Sequence, residues 1–177
     1  MADAPPDPPL IGYFAHVREA ATAWGALVLM TPEGDPLDFL YTEPVTVGRL
    51  TQALLGARAD GYVLARVLLA PLLEQAGPRL SLLCLDDAAA LQRRFTFEVP
   101  VAVAAAADAP HKDGAWTAEA VPNGDGQSHT WWLGDGARDD ARARLREAAA
   151  AMAPFGILDP FRQLRAAMAE VRGERAQ

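Results

Sequence analysis

Side chains that could do covalent or metal chemistry are scarce in this chain. It has one cysteine, Cys84, one lysine, Lys112, three histidines, His16, His111 and His129, and two serines, Ser81 and Ser128. Nucleophilic catalysis needs a nucleophile, a base within reach and a group that orients the base. No Gly-x-Ser-x-Gly elbow is present, the histidines sit in unrelated contexts, and Ser81 lies inside an apolar run. A zinc site needs about four Cys, His or acidic ligands in recognisable spacing, which these residues do not supply. Lys112 has no phosphate-loop glycines before it. The Gly-Asp-Gly triplets at 124–126 and 134–136 read as turns, and Asp135, Asp139 and Asp140 would repel an anion from the helix that follows the second. Glu33 and Asp35 read as solvated turn formers. No metal and no cofactor is expected, and the inventory argues against an enzyme.

Three groups remain. The acids Asp86 and Asp87 end the apolar run 80–85 and are weak candidates for site carboxylates. Arg138, Arg142 and Arg146 form a weak candidate basic face for nucleic acid, diluted by Asp139, Asp140 and Glu147 and by i,i+4 pairs such as Asp140–Arg144. Trp131 and Trp132 are adjacent on a β-prone run and cannot face the same side of a strand, so one is expected in the core and the other against a neighbour or a partner. With Phe161, Leu164 and Met168, they are the candidate partner-binding residues, because aromatic and aliphatic anchors dominate partner surfaces.

The elements that position these groups follow from periodicity. The chain has 177 residues, 51% hydrophobic and 22% charged, with a net charge of −7, which suits one globular domain. Acidic balance works against bulk attraction to nucleic acid or anionic lipid. Residues 1–9 read as a Pro-rich acidic tail, 10–153 as the core domain and 154–177 as a C-terminal helix packing on the core or on a partner. The runs 10–17, 24–31, 37–42 and 80–85 predict strands, the second and third joined by the turn Pro32-Glu33-Gly34-Asp35. Within 37–42, Leu37, Phe39 and Tyr41 are expected to face the core. Thr46 is the expected cap of a short helix, broken near 57–61 and followed by a long helix to Ala76, where Gly77-Pro78 stops it. Its segment 62–73 is apolar on every side except at Arg66, which predicts a central helix packed on a sheet and covered by others. Arg66 is expected to reach an edge or meet Asp38, Asp86 or Asp87, and Pro71 to kink the helix. Residues 88–94 predict a helix capped by Asp86-Asp87, 96–99 and 101–105 extended segments, 106–114 a loop holding His111, and 116–121 with 129–133 a second hairpin. Two amphipathic helices close the chain, with stripes Ala141, Leu145, Ala148, Met152 and Phe161, Leu164, Met168, Val171.

The fold class is therefore α/β, with α+β character. It is a single domain with a mixed sheet of about five to seven strands that opens with a β-hairpin, a long central apolar helix and two C-terminal amphipathic helices. This element order is similar to the ribonuclease H-like fold. Enzymes of that fold hold two metal ions with a carboxylate on the first strand, one at the end of the fourth and others on helices. Asp86 or Asp87 stands at the matching place after the fourth strand, but the run 10–17 carries no acid. The resemblance thus implies a degenerate, noncatalytic copy. The leading expectation is a noncatalytic protein-interaction module, a subunit or adaptor of a larger bacterial assembly. Its partner would be another protein or a second copy held through 161–171. A nucleic-acid-processing or nucleic-acid-binding factor with a degenerate ribonuclease H-like metal site ranks second. The N-terminus lacks a signal-peptide pattern and no apolar run reaches the length that spans a bilayer, so no membrane and a cytoplasmic location are expected.

Overall fold

Alternation of side chains along the strands builds two cores, one on each face of a single sheet. A computed structural model describes residues 9–91, 99–104, 116–134 and 138–175. The strands are β1 (Leu10–Glu19), β2 (Thr22–Met30), β3 (Pro36–Tyr41), β4 (Val45–Thr46), β5 (Leu80–Leu85), β6 (Val101–Ala104), β7 (Trp116–Pro122) and β8 (Ser128–Gly134). Among the described residues they form one eight-stranded sheet of order β3-β2-β1-β5-β6-β8-β7, with β4 pairing β2 beside β3. The first three strands are antiparallel, whereas β1, β5 and β6 run parallel. Parallel neighbours need a long crossover, and the helical stretch between β4 and β5 supplies it.

That stretch changes geometry along its length. Helix α1 (Arg49–Leu55) passes through a 3₁₀ turn at Gly56–Arg58 into α2 (Ala59–Tyr62), a π-helical segment Val63–Leu69 and α3 (Ala70–Ala76). Pro71 lacks an N–H for the α-helical bond to the fourth residue before it. The widened turn comes just before it, with the Ala70 N–H reaching the Ala65 carbonyl. Val63, Leu64, Leu68, Leu69 and Leu72 pack with Leu10, Phe14, Leu27, Leu83 and Leu85 on one face of the sheet. On the other face Ile11, Tyr13, Ala26, Leu82, Cys84, Trp131 and Leu133 meet α4 (Arg138–Ala151) and α5 (Asp159–Arg175).

Several expectations change here. The C-terminal helices lie across the sheet from the central helix and do not cover it, so Tyr62 and Arg66 are exposed on its outer side. β3 is the edge strand, which leaves Leu37 and Tyr41 exposed. Thr46 belongs to β4, and α1 starts after Gly48 with no side-chain cap. The first hairpin is β1–β2, whose tight turn holds Ala20 at φ 50°. No helix among the described residues is long and apolar enough to cross a membrane. The expectations for 1–8, 92–94 and 96–98, and for the loop with His111 and Lys112, lie outside the described residues.

Candidate functional site

Where β1 and β5 run side by side, their C-terminal ends bring His16, Asp86 and Asp87 to one rim of the sheet. The parallel register sets Phe14 beside Leu85, so the residues that follow each come together. Period-2 alternation sends His16 toward the Phe14 face, and the two rings stack with centroids 6.5 Å apart. Gly25, paired with His16 across the hairpin, makes room for this: a Cβ there would meet the Phe14 ring at 2.8 Å. His16 Nε2 lies 3.8 Å from Asp87 Oδ2, too far for a hydrogen bond. Asp87 Oδ1 accepts the Ala89 N–H at 2.7 Å and caps the 3₁₀ turn Ala88–Ala90.

Asp86 points to the opposite face, under α5. Arg165 of α5 donates to its Oδ2 at 2.5 Å. Only 11% of the Asp86 side chain is exposed. Burial pushes its carboxyl above the usual aspartate range, Asp87 adds to the push, and Arg165 and His16 oppose it without prevailing. The site therefore holds a carboxylate whose ionised form is disfavoured, the kind of charge arrangement that clusters where proteins handle ligands.

The donor set does not fit a two-metal centre. β1 brings His16 where a carboxylate would be needed, Asp86 is engaged by Arg165, and Asp87 is spent partly on its cap. Among the described residues, no group of three or more His, Cys, Asp or Glu is placed to hold a metal ion.

The other candidate residues are not brought to this rim. Trp131, Phe161, Leu164 and Met168 are at most 4% exposed, and all belong to the core beneath α4 and α5. Phe161 packs edge-on against Tyr13 at 5.1 Å and stacks on Trp131 at 6.3 Å. They cannot serve as exposed anchors, because the chain's own sheet occupies the stripe that a partner or second copy would need. Trp132 is half-buried on the opposite face, packed against the central-helix core. The basic face of α4 is also corrected. Arg142 Nε and Arg146 Nε donate to the Glu119 carboxylate of β7 at 2.9 and 2.7 Å, so these arginines dock α4 on the sheet. Arg138 lies at the start of the same helix, half-buried. Sequence reasoning missed Arg165 and Glu119. Arg165 follows the stripe residue Leu164, and only the packing of α5 along β1 carries it to Asp86.

A further cleft of about 440 Å³ lies between the β7–β8 turn and the start of α5, lined by Asn123, Asp125, Phe155, Leu158 and Arg162. Asp125 at its lip is held below the usual aspartate range, first by the Gln127 N–H. It is remote in sequence and element from the β1–β5 rim.

Comparison with solved structures agrees with the topology. The fold is ribonuclease H-like: three antiparallel strands, then parallel β5 and β6 beside β1, with helices on both faces. Ciona intestinalis endonuclease V, in complex with a 24mer DNA containing an inosine followed by a ribo-adenosine, aligns with a TM-score of 0.53 at 11% identity over 92% of this chain and 87% of that one. A variant of that protein with a 23mer DNA gives a TM-score of 0.53, again at 11% identity, over 92% and 86% of the two chains. Human ENDOV aligns with a TM-score of 0.48 at 14% identity over 96% and 86%. No family model and no curated relative matches the sequence. These findings overturn the reading as a protein-interaction module: its anchors are core residues, and the chains of similar fold are endonucleases, the Ciona protein being in complex with DNA.

Proposed function

We propose that the protein is a nucleic-acid-binding factor that engages its ligand at the C-terminal rim of β1 and β5, with the metal site of a ribonuclease H-like enzyme degenerate. The observation that carries this reading is the rim itself. Asp86 and Asp87 follow the strand parallel to β1, while β1 beside them contributes His16, its one acid, Glu19, lying at the far end of the strand and paired with Arg172. The DNA complexes of Ciona endonuclease V support the class of ligand. A donor set of one histidine, one capping aspartate and one arginine-bound aspartate favours binding over two-metal hydrolysis. With a net charge of −7, attachment depends on local arginines rather than on the overall field.

The test is fluorescence anisotropy with labelled single-stranded and duplex DNA and RNA, inosine-containing probes included. It is run at low salt with and without Mg²⁺, with gel analysis of the products. Binding that weakens with salt, with no cleavage above that of Asp86→Ala and Asp87→Ala controls, supports the proposal. Mg²⁺-dependent cleavage that disappears in those controls would overturn the degenerate site. No binding to any probe at low salt would overturn the nucleic-acid reading.

A further inference from the structure

Helix α5 runs alongside β1, and the edge it turns toward the rim carries two arginines two turns apart. Arg165 and Arg172 are seven residues apart, which returns to nearly the same side of an α-helix after a rise of about 10 Å. Arg165 meets Asp86 at the end of β5, and Arg172 meets Glu19 at the end of β1. Both guanidiniums stay open to solvent, with 58% and 57% of their side chains exposed. Arg18, also at the end of β1, pairs with Asp60 of α2 on the other side of the rim. Three arginines, two from α5 and one from β1, therefore border the strand ends, each meeting an acid from a different element.

Glu19 and Asp60 are themselves at least half exposed, and exposed pairs of this kind contribute about 0–1 kcal/mol, so a phosphate can replace either acid at little cost. The α4 arginines differ, because both are committed to one nearly buried acceptor, Glu119.

We propose that Arg165 and Arg172 of α5, with Arg18 across the rim, form the track for one nucleic-acid backbone strand, that Glu19 and Asp60 occupy Arg172 and Arg18 until phosphates displace them, and that Arg165 meets a phosphate with the solvent-facing side of its guanidinium while keeping Asp86. The inference rests on the nucleic-acid reading and adds to it the binding face and a built-in competitor. The line of two guanidiniums along α5, closed by Arg18 across the rim, suits a single strand. Phosphate contacts position a strand without reading its sequence, so the track is indifferent to base identity.

The experiment measures anisotropy of a labelled single-stranded 20-mer against salt for the full chain and for Arg165→Gln, Arg172→Gln and Glu19→Gln. Each arginine variant is expected to weaken binding and lower the magnitude of the log K–log salt slope by about 0.7, the value of one single-strand phosphate contact. Glu19→Gln, at an exposed position, is expected to bind several-fold tighter. Arg142→Gln, on α4, keeps the parent slope. If the parent binds but the arginine variants keep its slope and Glu19→Gln its affinity, the track is wrong while nucleic-acid binding stands. If the parent does not bind, both fall. Circular dichroism of each variant confirms that the fold is intact.

Discussion

Glu119 on β7 and Asp86 after β5 are both nearly buried carboxylates facing arginines of the C-terminal helices, and their carboxyls shift in opposite directions. Burial disfavours the charge at each. At Glu119 it is outweighed by hydrogen bonds and charge from Arg146 and Arg142, and the carboxyl falls below the usual glutamate range. At Asp86, Arg165 and the half-buried His16 do not offset burial, and Asp87 adds a like charge. Two partners make a structural clamp, whereas one partner beside a second acid leaves a charge the fold tolerates at a cost. The same residue types thus fasten α4 in one region and leave an electrostatically unsettled rim in the other.

The largest effect is expected from removing both partners of Glu119. Arg142→Ala with Arg146→Ala strands a nearly buried carboxylate and is expected to cost about 2–3 kcal/mol in urea unfolding at neutral pH, with nucleic-acid affinity unchanged. A loss under about 0.5 kcal/mol would erase the distinction between clamp and rim. The next test is the sign of the pH dependence. Glu119 has a depressed folded value, so its contribution is present above the unfolded value of about 4.3 and is lost as pH falls through the folded one. Glu119→Gln should remove that part of the acid sensitivity. Asp86 has a raised folded value, so its contribution is present below its unfolded value and is lost as pH rises through the folded one. Asp86→Asn should therefore stay within about 1 kcal/mol of the parent at neutral pH, and the parent should gain on the variant as pH falls through the carboxylate range. Thermal melts of parent and variant between pH 7 and pH 4 check both signs; equal signs would refute the contrast.

The layers were more legible in the sequence than the site, for a physical reason. The stripes Ala141, Leu145, Ala148, Met152 and Phe161, Leu164, Met168 are spaced as a helix requires, and all are buried against the sheet. Burial leaves a periodic mark, whereas charge pairing across elements leaves none. Nothing near Leu164 announces that Arg165 meets Asp86 seventy-nine residues away. Glu119 reads as an ordinary polar residue of an alternating strand until α4 docks over it. The same limit explains Trp131: its pattern fits a core strand or a contact surface equally well, and only the coverage by α5 decides. The β1–β2 hairpin was missed because its turn is built from alanines, Ala20 at φ 50° included, where glycine or asparagine would have signalled it.

The smallest expected effect separates a rim arginine from a clamp arginine most directly. Arg172 and Glu19 are each about half exposed, so their pair gains little in water and is screened by salt. Arg172→Gln is expected to change unfolding stability by less than about 0.5 kcal/mol. Arg142→Gln, which removes one of two donors from Glu119, is expected to cost more, since it returns part of the burial cost to the carboxylate. Urea melts of the two single variants in 50 mM and 500 mM salt provide the comparison. If Arg172→Gln destabilises as much as Arg142→Gln at both salts, Arg172 fastens α5 as Arg142 fastens α4, and a phosphate could not displace Glu19 at little cost. A near-neutral Arg172→Gln leaves its guanidinium available, which an arginine that must exchange an acid for a phosphate requires.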